Sequence, residues 1–335
     1  MTPQERIKWY RTPIEKDAMR ELMKRSDARG LQQCLLMIAL SIATGSLAYY
    51  SFHHWPWYLT VTTVYFHGMC YFFHGAHAAI HDLSHGTPFK SKGLNAFFYG
   101  FFGFISWTNI VRYRASHMQH HQLTTHTDRD LEVILPWLPS RLEWLGYWTF
   151  DWKLFLGNLD ILLRHSFGII KGEWEQRLFP KSDAKLRRKL FNWARFVLIG
   201  QLAIAATFIY FGQWILLVLF TFAPFIGGIL AWAVTLPQHA GLPADTPDFR
   251  LNCRSVNVHP FVGFLHWQMD YHVEHHMNAG VPFFNLKKLR KAIEHDIPEY
   301  DGLLATWKKM LPVMRRQRTE PTYCVVPELP ADAGR

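Results

Sequence analysis

The uncharged run Leu31–Phe52, LQQCLLMIALSIATGSLAYYSF, predicts a membrane-spanning helix. A helix rises 1.5 Å per residue, so a run of this length crosses a hydrocarbon core of about 30 Å. A second uncharged run, Trp57–Ile80, follows after a short aromatic turn of the kind that lies at a membrane interface. The two runs are predicted to form a transmembrane hairpin.

Three later segments extend this prediction. Leu94–Val111 is uncharged but marginally long for a span, and is predicted to be a re-entrant or interfacial segment. Trp144–Leu163 mixes apolar and charged residues, as an interfacial amphipathic helix does. Phe196–Pro237 is uncharged and interrupted by Gly212-Gln213, which predicts a second hairpin. The predicted fold is an all-α membrane protein with two transmembrane hairpins, about four spans, and a cytosolic helical cap that holds a histidine-rich dimetal site.

The distribution of Lys and Arg predicts the orientation. Of the 36, eight precede Leu31, fifteen lie in 86–190, one is Arg195, and twelve follow Pro237. Because neither hairpin turn carries one, the positive-inside rule places both termini and the active site in the cytosol. In a bacterium the host would be the inner membrane. The net charge of +10 flanks apolar runs, so the bilayer rather than nucleic acid is the expected partner.

Three segments are predicted along the chain: a basic cytosolic segment at 1–30, a membrane domain with its cap at 31–311, and an extended tail at 312–335. The first segment has no short apolar core followed by a cleavage site, so it is not expected to be a removed signal peptide. The four cysteines form no C-x-x-C pair. A disulfide framework or a thiolate metal site is therefore not expected.

Eight of the 19 histidines fall into three groups. These groups, the histidine boxes, are His81 and His85; His117, His120 and His121; and His272, His275 and His276. Residues three and four apart share one helix face, so each box on a helix presents its imidazoles to one side. A single histidine is more often a surface or satisfied core residue, but eight in these patterns predict a site for one or two metal ions. Spacing alone does not choose the metal, since imidazole binds iron, zinc, copper and nickel.

Other side chains are candidates for ligation or support. His239 directly follows the last uncharged run and is a ninth candidate ligand. Acidic residues near the boxes could accept the second ring N–H of a ligand and so fix its orientation. The carboxylates considered are Asp82, Asp128, Asp130, Asp270 and Glu274, with Asp270 and Glu274 preferred. His77 and His266 are assigned supporting roles, although His77 could also ligate.

The boxes resemble those of the integral membrane fatty acid desaturase and hydroxylase superfamily. The pattern H-x(3,4)-H, H-x(2,3)-H-H and H/Q-x(2,3)-H-H is present here as HDLSH, HMQHH and HVEHH. The resemblance implies a helical membrane fold, two iron ions and dioxygen as co-substrate. In that superfamily an extra histidine between the last span and the third box also ligates metal, and His239 has the matching position.

The same resemblance implies the reaction and the partners. Hydrogen abstraction from a fatty acyl or lipid-like chain gives an alkene in desaturases. Hydroxylases, ketolases and alkene-forming decarboxylases share the boxes, because the outcome depends on how the C–H bond is placed. The sequence lacks an H-P-G-G haem motif and rubredoxin-like paired cysteines. A separate electron donor of the ferredoxin, rubredoxin or cytochrome b5 type, with its reductase, is therefore expected.

A histidine-rich membrane metal transporter or sensor is the alternative from another functional class. It would place histidines along a path through the membrane, whereas most of these are predicted at one face beyond the span ends.

Overall fold

The computed structural model describes residues 6–334 of the chain, and this part is helical. Within that range there is no β-strand, only two isolated β-bridges. The all-α prediction is confirmed. In chain order the helices are α1 Lys16–Leu22, α2 Asp27–His54, α3 Trp57–Tyr71, α4 Ala79–His85, α5 Lys92–Ile105, α6 Ile110–Leu123, α7 Arg141–Trp148, α8 Trp152–Ser166, α9 Glu173–Leu178, α10 Ala184–Tyr210, α11 Trp214–Leu216, α12 Ile229–Thr235, α13 Phe249–Asn252, α14 Pro260–Leu265, α15 His272–Met277, α16 Phe283–Ile293 and α17 Leu303–Arg316.

Short turns of other helical types connect some of these elements. They are the 3-10 helices Phe72–His74, Ala223–Phe225 and Leu236–Gln238, and the π-helix Leu217–Thr221. The chain divides into two compact units. The first unit comprises the described parts of 1–26, 116–138 and 233–335, and the second comprises 27–115 and 139–232.

Two helical stretches are long and apolar enough to cross a membrane by length and composition, among the residues that the structure describes. They are Lys16–His54, whose apolar part is α2, and Ala184–Tyr210. The second predicted span is shorter than expected, because α3 ends at Tyr71 and the chain leaves the helical conformation at Gly75 (φ −79°, ψ −158°). The second leg of the later hairpin is broken into short elements by Pro224 and by Gly227, whose φ is +66°.

The broken leg packs closely against α3 through glycines. A Cβ added to Gly68 would lie 2.7 Å from Cβ of Ile226, and one added to Gly228 would lie 2.5 Å from Cε2 of Phe72. Small residues allow backbones to approach in this way, and such contacts favour packing between helical segments in a membrane. In this region the chain therefore departs from regular helix and packs its backbone segments closely together.

The predicted interfacial helix is two helices, α7 and α8. One side of α8 packs Leu162 into a core with Val197 of α10 and Phe225. Its other side leaves apolar side chains exposed, with Trp152 at 62 % and Phe167, just after the helix, at 78 %. The second unit therefore has an apolar surface beside α10 that its own core does not cover.

The C-terminal tail begins later than the predicted residue 312. Helix α17 contains Pro312 and continues to Arg316. Met310 and Met314 of this helix pack against Leu236 and Ala240. Pro312 lacks a backbone N–H and so removes one hydrogen bond from the helix. Burial of the apolar face of α17 stabilises the helix despite this loss.

The substitution Gly103→Ala is expected to destabilise the protein. The added Cβ would overlap Cγ2 of Ile110, a β-branched side chain with little freedom to move. Overpacking of this kind costs about 1–3 kcal/mol, which should lower the melting temperature of the detergent-solubilised protein. Gly157→Ala is the matched control, because no described atom outside the backbone of helix α8 and the two adjacent residues lies within 4 Å of the added Cβ. It should be neutral or stabilising, and equal loss in both variants would contradict the packing.

Candidate metal centre

All three histidine boxes lie on helices, as their spacing predicts. His81 and His85 lie one turn apart on α4, and their ring centroids are 5.6 Å apart. The second box lies near the end of α6, and the third occupies α15, all of whose residues are buried. The first box belongs to the second unit, whereas the other two boxes and His239 belong to the first unit.

The first unit brings one histidine from each of three segments into a compact group. His120 of α6, His276 of α15 and His239, just after the 3-10 helix Leu236–Gln238, are all buried. One ring nitrogen from each lies within 4.8 Å of the others. This spacing is suitable for three imidazoles that share a metal ion.

A second group in the same unit contains His117, His121 and His275. The Nε2 atoms of His117 and His121 are 3.1 Å apart, and those of His121 and His275 are 3.2 Å apart. His272 adjoins the first group, with its Nε2 atom 2.9 Å from that of His239. Seven of the nine predicted ligands therefore converge within one unit.

Carboxylates determine the tautomers of two histidines of the second box. His117 Nδ1 lies 2.8 Å from Oε1 of Glu132, and His120 Nδ1 lies 2.7 Å from Oδ2 of Asp130. An ionised carboxylate can only accept, so each Nδ1 carries the hydrogen. The lone pair of each neutral ring is then on Nε2, the nitrogen that faces the histidine groups. This is the carboxylate–histidine arrangement of metal ligands.

Two further histidines are oriented by uncharged acceptors. His239 Nδ1 lies 2.9 Å from the carbonyl oxygen of Asn252, which can only accept. His276 Nδ1 lies 3.2 Å from Oγ1 of Thr124, and that hydroxyl donates its hydrogen to the carbonyl oxygen of His120 at 2.8 Å. Both rings therefore carry hydrogen on Nδ1 and a lone pair on Nε2.

Burial and neighbouring groups lower the pKa of two histidines of the first group and raise that of the third. Burial opposes charge on His120, yet the carboxylates of Asp130 and Glu132 raise its pKa above the usual range. Burial, followed by the repulsion of His120, lowers the pKa of His239 to about 3. Burial and the neighbouring imidazoles lower the pKa of His276 as well. Neutral imidazole is the form that ligates a metal ion.

The residues present fit a metal ion. The buried Nε2 of His276 has no hydrogen-bond partner among the described residues, although its lone pair faces the cluster. In the second unit, both carboxylate oxygens of Asp82, beside His81, are buried and have no hydrogen-bond partner within residues 6–334. A buried polar atom without a hydrogen-bond partner costs free energy of folding. A metal cation would interact favourably with both the imidazole lone pairs and the carboxylates. The nitrogen-rich donor set suits iron, zinc, copper or nickel.

The preferred supporting carboxylate Glu274 holds the third box by a different contact. Its side chain accepts from Arg290 Nη1 at 2.8 Å and from Ser255 Oγ at 2.5 Å. The Ser255 hydroxyl also accepts from the backbone N–H of Val273 at 3.0 Å. Glu274 therefore anchors α15 instead of orienting an imidazole.

Asp270, His77 and His266 are the other supporting candidates named from the sequence. Asp270 is buried, and burial raises its pKa to about 7. His77 lies in the turn before α4, edge-on to Trp232 at 4.4 Å between centroids. His266 is fully buried at the end of α14. Of the carboxylates considered from the sequence, Asp130 is hydrogen-bonded to a box histidine, His120.

Three supporting residues were missed by the sequence analysis: Glu132, Thr124 and Asn252. Glu132 lies fifteen residues after His117, outside the helix. The sequence contained a signal for Glu132, because several acidic residues lie close together in the segment after the second box. No sequence signal indicated the backbone carbonyl of Asn252, since every residue has a backbone carbonyl.

Asp130→Asn is expected to weaken metal binding. The substitution removes the negative charge that holds His120 Nδ1–H and keeps the side-chain volume. Loss of such a partner lowers metal affinity about 10–100-fold, which competition with a chelator of known affinity would measure. Asp160→Asn is the control, because Asp160 is 62 % exposed and pairs only within its helix with Arg164. Equal affinities for the two variants would contradict this role.

The helical fold and the buried imidazole groups define a candidate histidine-ligated metalloprotein, and comparison identifies its family. Residues 55–307 match the family model described as Fatty acid desaturase. The chain therefore belongs to the fatty acid desaturase family. This membership supports a desaturase-type oxidoreductase activity.

Two curated relatives carry desaturase names. The chain is 23 % identical over 320 residues to an sn-1 oleoyl-lipid 12-desaturase of Anabaena variabilis, a match that covers 88 % of this chain and 86 % of the relative. It is 23 % identical over 261 residues to a protein of Oryza sativa subsp. japonica named sphingolipid delta(4)-desaturase DES1-like, covering 75 % and 68 % respectively.

Proposed function

We propose that the protein is a membrane-bound, oxygen-dependent di-iron oxidoreductase that desaturates a fatty acyl or other lipid-like chain. The observation that carries this proposal is the convergence of imidazoles whose outer nitrogens are already hydrogen-bonded. His81 and His85 are proposed to complete the set of nine ligands. Family membership supports iron as the metal, because the donor set alone fits several metals.

The proposed reaction balances with an external reductant. A CH2–CH2 unit, dioxygen, two electrons and two protons give CH=CH and two molecules of water. Bound iron would supply the redox chemistry that reduces dioxygen and removes hydrogen from an unactivated C–H bond. A separate electron-donor protein of the ferredoxin, rubredoxin or cytochrome b5 type would provide the electrons.

The protein's own residues would hold and shield this centre. Glu132 and Asp130 fix the rings of His117 and His120, so the donor nitrogens need no rearrangement when metal binds. His276 and its neighbours are buried, which keeps bulk water from a reactive oxidant.

Several observations support a location in the membrane. Helix α10 and the stretch that contains α2 are long and apolar enough to span. The exposed apolar side chains of α8 suit the interface between lipid and water. With the absence of Lys and Arg from the predicted hairpin turns, we propose four membrane crossings, with the short apolar elements completing the two hairpins and the metal centre in the cytosol.

An intramembrane cavity supports a lipid-like substrate. In the second unit, α2, α3, α5 and the segment 208–220 line a cavity of about 680 Å³. Its walls include Ile42, Leu216 and Phe220, so most of the lining is apolar. This volume lies in the range of small-ligand sites, and we propose that it accepts part of a hydrocarbon chain.

Leu216→Trp is expected to obstruct substrate binding. The indole would occupy cavity volume, and misfit of this size costs about 1–3 kcal/mol. The KM for a long-chain substrate should rise about tenfold for each 1.4 kcal/mol of binding free energy that is lost. Product formation over a substrate series would measure it. Leu202→Trp is the control, because Leu202 of α10 is 66 % exposed and does not line the cavity. An unchanged KM in a Leu216→Trp protein with wild-type metal content would remove the cavity from the proposal.

Product analysis tests the function itself. The iron-loaded protein in lipid nanodiscs, with a generic ferredoxin and its reductase, should convert acyl lipids to products two hydrogens lighter, seen by mass spectrometry. It should take up dioxygen only when substrate is present. His120→Ala should abolish both signals, whereas the exposed His295→Ala should not change them.

The other outcomes identify the alternatives. Products heavier by one oxygen atom would indicate a hydroxylase, and ketones or shortened terminal alkenes would indicate a ketolase or a decarboxylase. Exchangeable metal without dioxygen uptake, across a full lipid extract, would overturn the enzyme proposal in favour of a metal transporter or sensor.

A further inference from the structure

Within the first unit, the N-terminal residues 8–12 lie beside the histidine groups. The Trp9 indole stacks on the ring of Phe249, with centroids 4.1 Å apart and planes at 9°. Its Nε1 donates to the carbonyl oxygen of Gln122 at 3.0 Å, one residue after His121. The ring of Phe249 lies 5.6 Å from that of His276. A continuous aromatic contact therefore joins Trp9 to a predicted metal ligand.

A single buried carboxylate, Asp296, joins this segment to other parts of the unit. It accepts from the hydroxyls of Tyr10 at 2.8 Å and Thr12 at 2.5 Å. It also accepts from Arg250 Nη1 at 2.7 Å and from the backbone N–H of Gly334 at 2.7 Å. Both ends of the described chain thus converge on one acceptor.

Helix α13 is the element that these contacts hold. Arg250 at its second position is clamped between Asp248 and Asp296, and its guanidinium lies 3.7 Å from the Tyr10 ring centroid. At the helix end, the Asn252 carbonyl accepts from His239, and Asn252 Nδ2 bonds the carbonyl oxygen of Thr246 at 3.0 Å. The same short helix therefore contacts two predicted ligands, His276 through Phe249 and His239 through Asn252.

A helix of four residues cannot maintain its own position. Its single turn gains too few internal hydrogen bonds to offset the ordering of its backbone. The placement of the Asn252 carbonyl, and so of His239, must come from contacts with flanking segments. Trp9, Tyr10 and Thr12 provide these contacts directly or through Asp296.

We propose that residues 8–12 form an N-terminal latch that retains metal in the His120–His239–His276 group. Trp9, Tyr10 and Asp296 are positioning residues: they touch no ligand themselves and act through α13. The latch rests on the proposed metal centre, but its test does not depend on desaturase activity. Simple anchoring of a chain end would stabilise the fold without changing how fast metal leaves.

Metal release from the full-length protein in nanodiscs tests the latch. Co(II), bound without dioxygen, would report ligand geometry through its visible absorption, and transfer to a chelator would give the release rate. Trp9→Ala should increase this rate about tenfold and shift the absorption, by analogy with the loss of other groups that support metal ligands. Trp9→Phe should restore slow release, because it keeps the stack on Phe249.

A second variant and a matched control separate positioning from folding. Tyr10→Phe removes one hydrogen bond to Asp296 but keeps the ring under Arg250, so a smaller increase of about threefold is expected. Tyr323→Ala is the control, because Tyr323 is a half-buried aromatic residue of the opposite terminal segment that packs on Arg316. It should lower the melting temperature at most, with release as slow as in the wild type.

The outcomes distinguish the latch from the metal centre. Release from Trp9→Ala that matches wild type or Tyr323→Ala, with intact stoichiometry, would overturn the latch and leave the proposed function standing. A wild-type protein that binds no Co(II) at its histidines would overturn both.

Discussion

Hydrogen bonds to the outer nitrogens of buried imidazoles are the interactions on which the rest of the structure depends. A cluster of histidines without fixed partners would present donors and acceptors at random, and each mismatch would cost free energy in a buried site. Here Glu132, Asp130, the Thr124 hydroxyl and the Asn252 carbonyl each take one Nδ1 hydrogen. The inner nitrogens then carry the lone pairs that the proposed metal ion would need, and the fold around them must keep those four acceptors in place.

The boxes could be predicted because their signal is local. Spacings of three and four residues on α4, α6 and α15 determine which imidazoles share a face, whatever the surrounding fold. Helical geometry also explains why Glu274 is not a partner of a box histidine. It lies two residues after His272, about 200° around the helix, so it points away from the imidazole face towards Arg290.

The acceptors and the breaks in the spans could not be predicted in the same way. A backbone carbonyl such as that of Asn252 has no sequence signature, and its contact with His239 depends on the path of an irregular segment. The uncharged length from Trp57 to Ile80 suggested one span, yet hydropathy is insensitive to the departure from helix at Gly75. Close packing of Gly68 on Ile226 likewise depends on tertiary contact.

The structure assigns different tasks to regular and irregular segments. The box helices α6 and α15 provide most of the donor nitrogens of the first unit. Two of the acceptors that orient imidazoles, Glu132 for His117 and Asn252 for His239, come from a loop and a four-residue helix. Short and irregular segments open locally at lower free energy than long packed helices do. In the proposed metal centre, resistance to metal loss would therefore be limited by the weakest supporting segment and not by the helices that carry the ligands. Asp296, a buried carboxylate next to the four-residue helix α13, accepts hydrogen bonds from both ends of the described chain.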